Sequence, residues 1–285
     1  MFYTNVKGDL NVNVSVCTIS FRHGLQSIEH IAKWATTHGF DGIELWGTHA
    51  RHLKPHAHVN GEWLETQGLT VSMLSDYLPL HEEWTKIQSA ANNMLHLAGR
   101  WNTSKVRVFA GELGSQLIQK EERLHLVNQL REVCKMAMEK NKQILVEIHP
   151  RTLCDTVSST LQLLSEVNHP SLRVNFDVLH AWESGANVDE AFEQLQPFIE
   201  HLHLKNVLDR EHLHVFHPEN VFHASASRQG MTSLFTGQID YHQFLSNHDL
   251  SSFHASLEWF GHHPFAVLEK DKQKLVAYQK QTLYH

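Results

Sequence analysis

The residues with the clearest chemical potential lie at the end of one apolar run. Ile144-Leu-Val-Glu-Ile-His-Pro150 begins like a buried strand and then places Glu147 and His149 two positions apart, on one face of that strand. Burying even an uncharged polar group without a partner costs roughly 2–7 kcal/mol, so both side chains need partners outside the strand. The pair suits either a structural ion pair or a site for metal binding and proton transfer.

Three later apolar runs end in the same way. Asn175-Phe-Asp177, His201-Leu-His203-Leu-Lys205 and Ser256-Leu-Glu258 each carry ionisable groups at the carboxyl end of a predicted strand. If these ends share one rim, three carboxylates and one imidazole converge, and the carboxylates would repel one another without a cation. Three oxygen ligands and one nitrogen favour Mn²⁺ or Mg²⁺ over zinc, with Co²⁺ also suitable. The predicted ligands are Glu147, Asp177, His203 and Glu258.

Each of these residues also has a structural interpretation. Asp177 alone could cap a helix, His203 alone could be a hydrogen-bonded core histidine, and Glu258 alone could be half of a buried ion pair. The joint pattern favours the metal site. His149 is then either a base beside the metal or a group that orients a ligand.

Further polar residues are predicted on the same rim. Arg107 faces inward if Val106 and Val108 face outward, and it could hold an anion through two hydrogen bonds or pair with a strand-end carboxylate. Lys205 has the same two interpretations. The lower-ranked candidates on this rim are Glu44, Trp46, His49 and Tyr77, because the aromatic side chains are more often packing residues.

Strand and helix patterns alternate along the chain. Strands are predicted at 13–20, 41–46, 69–74, 105–109, 144–149, 172–177, 199–205 and 252–258. Helices are predicted at 28–38, 61–67, 81–99, 120–140, 188–195 and 265–278, and another runs through Val167 with Asp155 as its cap.

Eight such units predict a (β/α)₈ barrel, whose usual size is about 250 residues. An open doubly wound sheet is the alternative, but no Gly-x-Gly-x-x-Gly follows the first strand. We predict one barrel domain over residues 1–285, with a long loop at 206–237 after the seventh strand that covers the site.

Composition limits the classes of partner. The 285 residues have a net charge of -7 and no basic run, which argues against nucleic acid. No segment approaches the roughly 18 apolar residues of a membrane-spanning helix, and residues 1–13 lack the apolar core of a signal peptide. A cytoplasmic protein with a small-molecule substrate is expected. The three cysteines, in no metal-binding spacing, are expected in the core, and the sequence does not specify an oligomeric state.

The four strand-end motifs, from Glu147-Ile-His149 to Ser256-Leu-Glu258-Trp, resemble the sugar isomerase/epimerase-like barrels, the superfamily of xylose isomerase and endonuclease IV. Several loops are more specifically similar to the bacterial 3-dehydroshikimate dehydratases of petrobactin siderophore biosynthesis. Those loops are Cys17-Thr-Ile-Ser-Phe-Arg-His23, Gly42-Ile-Glu-Leu-Trp-Gly-Thr-His-Ala50, Ser75-Asp-Tyr77 and His180-Ala-Trp-Glu-Ser-Gly-Ala186.

This resemblance implies a metal-dependent dehydration of 3-dehydroshikimate to protocatechuate. It implies that the four predicted ligands hold the metal and that His149 is the general base. It also implies substrate contacts from Arg107, Lys205, Tyr77 and His180. Phe222 departs from the pattern, because a substrate-contacting tyrosine is expected there; the nearby His223 is a candidate to replace the lost hydrogen bond.

Three alternatives remain open from the sequence. A sugar isomerase or epimerase would use the same fold and metal. An endonuclease acting on abasic DNA would need a basic DNA-binding face, which the acidic composition does not favour. A barrel without catalytic activity could serve as a binding protein.

Overall fold

The computed structural model describes residues 12–282, with side chains to residue 278. The prediction for residues 1–13 therefore falls almost entirely outside the described range. Within it, eight parallel strands close into a barrel, so the predicted (β/α)₈ architecture is confirmed. The strands are β1 Asn13–Cys17, β2 Gly42–Trp46, β3 Thr70–Ser75, β4 Lys105–Val108, β5 Gln143–Glu147, β6 Leu172–Asp177, β7 Ile199–Leu204 and β8 His254–Leu257.

The register of the strands brings their polar ends together. Glu147 pairs with Asn175 across β5 and β6, and Asp177 pairs with His203 across β6 and β7. His203 in turn pairs with Ser256 of β8. Parallel strands end at a common rim, so residues far apart in the chain become direct neighbours there.

Helices cover the outside of the barrel. Their bounds are α1 Ile28–Thr37, α2 Gly47–His52, α3 Gly61–Thr66, α4 Trp84–Arg100, α5 Lys120–Glu139, α6 Val157–Val167, α7 Val178–Glu183, α8 Val188–Leu195, α9 Pro218–Val221, α10 Tyr241–Asn247 and α11 Pro264–Thr282. The Ser27 hydroxyl caps α1, and Gly39 just beyond that helix adopts a left-handed conformation with φ of +71°, which glycine accepts without strain.

Several predicted boundaries were wrong. The first strand stops at Cys17, and residues Thr18–Phe21 form a 3-10 turn. The fifth strand ends at Glu147, so His149 lies in the following loop, where its amide bonds to the Cys154 carbonyl. The predicted helix at 81–99 begins later, at 84, and the eighth strand is shorter than predicted.

The predicted cap of α6 was also wrong. Thr156, not Asp155, is the N-cap, and its side chain and that of Ser159 satisfy each other's backbone amides in a capping box. Asp155 instead accepts hydrogen bonds from the Ser159 hydroxyl and the Ser115 amide. The carboxylate therefore ties the loop before α5 to the start of α6.

The 206–237 segment has structure of its own. Asn206–Val207 pairs antiparallel with Met231–Thr232, and a 3-10 helix, Arg210–Phe216, and α9 lie between them. Four short helices, α2, α7, α9 and α10, were absent from the prediction, because segments of four to seven residues are too short to show helical periodicity.

Apolar residues fill the space between the barrel and its helices. Cys17, Cys134 and Cys154 are buried and free, as expected for core residues. Among the described helices none is long and apolar enough to cross a membrane.

Candidate active site

His203 lies at the centre of the buried polar cluster. Its Nε2 atom is 2.9 Å from Oε2 of Glu44, and its Nδ1 atom lies 3.4 Å from Glu147, 3.6 Å from Asp177 and 3.5 Å from Glu258. A carboxylate can only accept, so Nε2–H donates to Glu44 and Nδ1 faces the other three carboxylates. Burial would lower the pKa of His203, but the carboxylates of Glu258, Glu44 and Glu147 raise it well above its usual value, so without a cation Nδ1 also carries a proton. A metal ion that binds at Nδ1 would replace that proton.

The cluster fits a metal ion. Ligand atoms of Glu147, Asp177 and His203 all lie within 4.8 Å of one another. Glu147 Oε2 and Asp177 Oδ2 form ion pairs with Arg107 and Lys205, but the buried His203 Nδ1 has no hydrogen-bond partner among the described residues. Buried polar atoms of native proteins are nearly always satisfied, and this one faces three carboxylates at 3.4–3.6 Å, which is where a cation would bind.

The charges of the cluster lead to the same conclusion. Glu44, Glu147, Asp177 and Glu258 are buried with Arg107 and Lys205, and four carboxylates against two cations leave two negative charges. One divalent cation neutralises that excess. Burial by itself would raise the pKa of Asp177, but the neighbouring Lys205 and His180 hold that pKa well below its usual value, so the carboxyl stays ionised.

Arg107 and Lys205 pair with the proposed ligands. Arg107 Nε lies 2.8 Å from Glu147 Oε2, and Lys205 Nζ lies 2.5 Å from Asp177 Oδ2 and 2.7 Å from Glu258 Oε2. The alternative of a strand-end ion pair is therefore observed for both. Arg107 Nη1 nevertheless has no hydrogen-bond partner among the described residues, and its guanidinium carbon lies 4.6 Å from the centre of the Phe109 ring.

A cavity of about 270 Å³ opens above the cluster. Most of the predicted site residues line it: Tyr77, Arg107, Glu147, His149, His180, Lys205, Phe222 and Glu258. Asp177 and His203 are fully buried beside them, and Glu44 lies beneath His203. The structure thus places the predicted ligands and the predicted substrate-binding residues next to one another, and their roles stay predictions.

His149 is held as a neutral imidazole. Its Nδ1 atom is 2.8 Å from the Pro150 carbonyl oxygen, which can only accept, so Nδ1 carries the proton and Nε2 the lone pair. Burial and the neighbouring His180 lower the pKa of His149 to about 3. The ring packs between Phe109 and His180, with ring centres 4.5 Å and 4.4 Å away. This arrangement suits a proton acceptor.

His180 is fixed from its other side. Its Nδ1 atom lies 2.6 Å from Glu183 Oε2, and its amide donates to Asp177 Oδ1. Asp177 therefore caps α7 as well as facing His203. The capping and metal-ligand interpretations of Asp177 are compatible, because its two oxygens have different neighbours.

The 206–237 segment supplies one wall of the cavity through Phe216, Pro218, Val221 and Phe222. The Phe222 ring stacks on Trp46 at 6.0 Å. His223, the suggested replacement for a tyrosine hydroxyl, is exposed and does not line this cavity. His49 lies on α2 and lines a different pocket, so its placement on the active rim was wrong.

Sequence reasoning missed a layer of polar residues below the cluster. His201 contacts Asn175 Oδ1 through Nδ1 at 3.1 Å and the Ser256 hydroxyl through Nε2 at 3.2 Å. The Ser75 hydroxyl bonds to Glu44. His201, Asn175 and Ser256 alternate with apolar residues in their strands, and that period of two puts His201 on the same face as His203, although the sequence assigned it no role. Ser75 follows Met73 and Leu74 and shows no such period.

The fold and the site define a (β/α)₈ barrel with an acid-and-histidine centre at the carboxyl ends of its strands. Residues 32–280 match the xylose isomerase-like TIM barrel family, and the chain belongs to that family.

Its relatives include a 3-dehydroshikimate dehydratase of Bacillus anthracis, which is 42% identical over 92% of this chain and 95% of the relative. The crystal structure of the probable dehydratase AsbF, involved in petrobactin synthesis in the same organism, superposes with a TM-score of 0.89 at 41% identity, covering 93% of this chain and 99% of that one. A more distant neighbour is the crystal structure of the IOLI protein with a bound zinc atom, which superposes with a TM-score of 0.71 at 18% identity over 95% of this chain and 96% of that one. This likeness shows that the two proteins have the same fold.

Proposed function

We propose that this protein converts 3-dehydroshikimate to protocatechuate and water. The observation that carries the proposal is the 42% identity to a 3-dehydroshikimate dehydratase along 92% of the chain. The site supports it, since a neutral imidazole, two cations and a metal-type cluster surround one cavity. The product is a catechol, and we assign it to catecholate siderophore synthesis, following the relative involved in petrobactin synthesis.

His149 starts the reaction. The substrate is a β-hydroxy ketone, and its acidic proton sits on the carbon between the ketone and the leaving hydroxyl. His149 Nε2 takes this proton, because Nδ1 is committed to the Pro150 carbonyl. The resulting enolate expels the β-hydroxyl, which takes the proton back from His149 Nε2 and leaves as water, so that the imidazole is neutral again. A second carbon-bound proton then moves to the ketone oxygen and the ring becomes aromatic, which makes the reaction effectively irreversible.

Glu147, Asp177, His203 and Glu258 would hold the divalent cation. The ligand set, three carboxylates and one imidazole, suits Mn²⁺ best, with Mg²⁺ or Co²⁺ as substitutes. When bound, the cation supplies positive charge that stabilises the enolate oxygen. Glu44 contributes from beneath by fixing the tautomer of His203.

We assign the substrate carboxylate to Arg107 in preference to Lys205. Arg107 keeps unsatisfied donors at the cavity, whereas the Lys205 ammonium lies against two carboxylates. The guanidinium carbon lies 4.6 Å from the centre of the Phe109 ring and 5.8 Å from that of the Tyr77 ring, and these adjacent rings restrict it. Planar donors of this kind bind a carboxylate through two parallel hydrogen bonds. Tyr77 and His180, which also line the cavity, contact the substrate ring.

Phe222 changes the contacts available to the ring. It places an apolar edge at the cavity where the resemblance leads us to expect a tyrosine hydroxyl, and His223 does not reach the cavity. We expect one hydrogen bond fewer to the substrate, at a cost of about 0.5–1.5 kcal/mol in binding. Phe222→Tyr should therefore lower KM.

Incubation of purified protein with Mn²⁺ and 3-dehydroshikimate tests the proposal. We expect the ultraviolet absorbance of protocatechuate to appear at a rate proportional to enzyme. A panel of free ketoses serves as the comparison. Epimerisation of a ketose with no protocatechuate would identify a sugar epimerase, and binding of 3-dehydroshikimate without conversion would identify a binding protein.

A further inference from the structure

Three loops that form the cavity meet at one side chain outside it. Arg22 follows the 3-10 turn after β1 and is half-buried. Its Nε atom donates to the Val221 carbonyl at 2.5 Å, Nη1 to the Ile19 carbonyl at 3.1 Å and Nη2 to the Phe260 carbonyl at 3.2 Å. Ile19, Val221 and Phe260 each line the candidate active-site cavity.

These three acceptors belong to separate parts of the chain. Val221 ends α9 in the 206–237 segment, 199 residues from Arg22, and Phe260 follows β8, 238 residues away. The guanidinium also lies 5.0 Å from the centre of the Phe260 ring. One planar cation with five donors can join three carbonyl groups in this way, whereas a lysine ammonium cannot match the geometry.

Two neighbours extend the contact to the rest of α9. His23 Nε2 lies 3.1 Å from the same Val221 carbonyl oxygen. Arg228 donates to the Asn220 carbonyl at 2.5 Å and to the His223 carbonyl at 2.8 Å. The backbone on both sides of Phe222 is therefore held by cationic donors, while the Phe222 side chain faces the cavity.

We propose that Arg22 is a positioning residue for the dehydration, which fixes Ile19, Val221 and Phe260 as the wall of the substrate cavity. This inference rests on the proposed function. Within the described part of the chain, Arg22 forms no hydrogen bond or ion pair with the four predicted metal ligands, so its loss should loosen the wall and weaken substrate binding while metal content stays the same.

A matched control separates this role from general stability. Arg100, at the end of α4, likewise donates to backbone carbonyls, those of Leu53, Lys54, His56 and Val59, at 2.6–3.1 Å. None of these acceptors lines the active-site cavity. Arg100→Met therefore removes a comparable set of hydrogen bonds at a place where substrate binding should not change.

The test compares Arg22→Met, Arg22→Lys and Arg100→Met with the wild type, all loaded with Mn²⁺. Loss of charge-assisted hydrogen bonds corresponds to roughly 10–100-fold in an equilibrium constant, so KM for 3-dehydroshikimate should rise by that factor in Arg22→Met. The KM of Arg22→Lys should lie between those of the wild type and Arg22→Met. The KM of Arg100→Met should stay within about twofold of the wild-type value. Hydrogen exchange of a peptide spanning 214–226 should accelerate in Arg22→Met, accelerate less in Arg22→Lys and stay unchanged in Arg100→Met.

An unchanged KM in Arg22→Met, or an equal rise in Arg100→Met, would overturn the proposal, as would unchanged exchange in the 214–226 peptide. If Arg22→Met does not fold, Arg22→Lys decides by the same comparison. Failure of the proposed function is distinguishable, because the wild type would then produce no protocatechuate. The exchange measurement needs no turnover and would still show whether Arg22 holds the wall.

Discussion

Replacement of His149 is the most direct test of the proposed chemistry. If this side chain removes the substrate proton, His149→Ala and His149→Asn should keep the fold and the metal while turnover collapses. The alternative is that His149 only orients Glu147. The hydrogen bond of the ring supports the first interpretation, because its Nδ1–H donates to the Pro150 carbonyl rather than to Glu147.

The size of the effect follows from the role. A positioned base contributes roughly 10²–10⁴ in rate, so kcat should fall by that factor, while KM changes little. This loss corresponds to about 3–5 kcal/mol of activation free energy. If His149 acts only through Glu147, its loss should instead weaken metal affinity by roughly 10–100-fold.

The pH dependence adds an independent check. A histidine whose pKa lies near 3 stays neutral throughout the range from pH 8 to pH 5, and a bound cation nearby would lower that pKa further. We therefore expect kcat/KM to lack the fall near pH 6.5 that an ordinary histidine base produces. A clear decline near pH 6.5 that disappears in His149→Asn would contradict the pKa assignment.

The assay is a titration of each variant with Mn²⁺, with kcat measured by protocatechuate absorbance and bound metal measured directly. His254→Ala is the control, since that histidine lies at the opposite end of the barrel, at the start of β8, and should retain its rate. Recovery of near-wild-type kcat in His149→Ala at saturating Mn²⁺ would refute the role of His149 as base. A persistent deficit at full occupancy would support it.

Three other perturbations have definite expected outcomes. Chelation should abolish turnover yet leave the circular dichroism spectrum intact, because the apolar core is large enough to hold the fold. Glu147→Gln and Glu258→Gln should have the same effect as chelation. Unfolding of the protein on chelation would contradict this expectation. Arg107→Lys should raise KM by about tenfold or more, since lysine keeps the charge but cannot form two parallel hydrogen bonds. An unchanged KM would indicate that Lys205, not Arg107, binds the substrate carboxylate. Thr156→Ala removes the cap of α6 and should cost about 1 kcal/mol of stability, seen as a fall in Tm of about 2–4 °C at unchanged kcat.

The barrel and the residues at its centre could be predicted from the sequence alone. Apolar runs that end in Glu147, Asp177, His203 and Glu258 specify buried strands with polar carboxyl ends, and a closed ring of parallel strands leaves one place for those ends to meet. Local pattern was sufficient because strand burial and side-chain alternation are properties of a few consecutive residues. It failed at short helices and at caps, where Thr156 and Asp155 compete for the same position.

The partners of these side chains could not be predicted from the sequence, because they depend on the folded arrangement. Glu44 orients His203 across 159 residues of sequence, and Arg22 joins loops that lie 199 and 238 residues away. Such contacts leave no periodic signal, because they depend on how strand ends and loops are brought together when the barrel closes. The same closure moved His49 and His223 away from the cavity, although their positions in the sequence resemble those of the residues that line it.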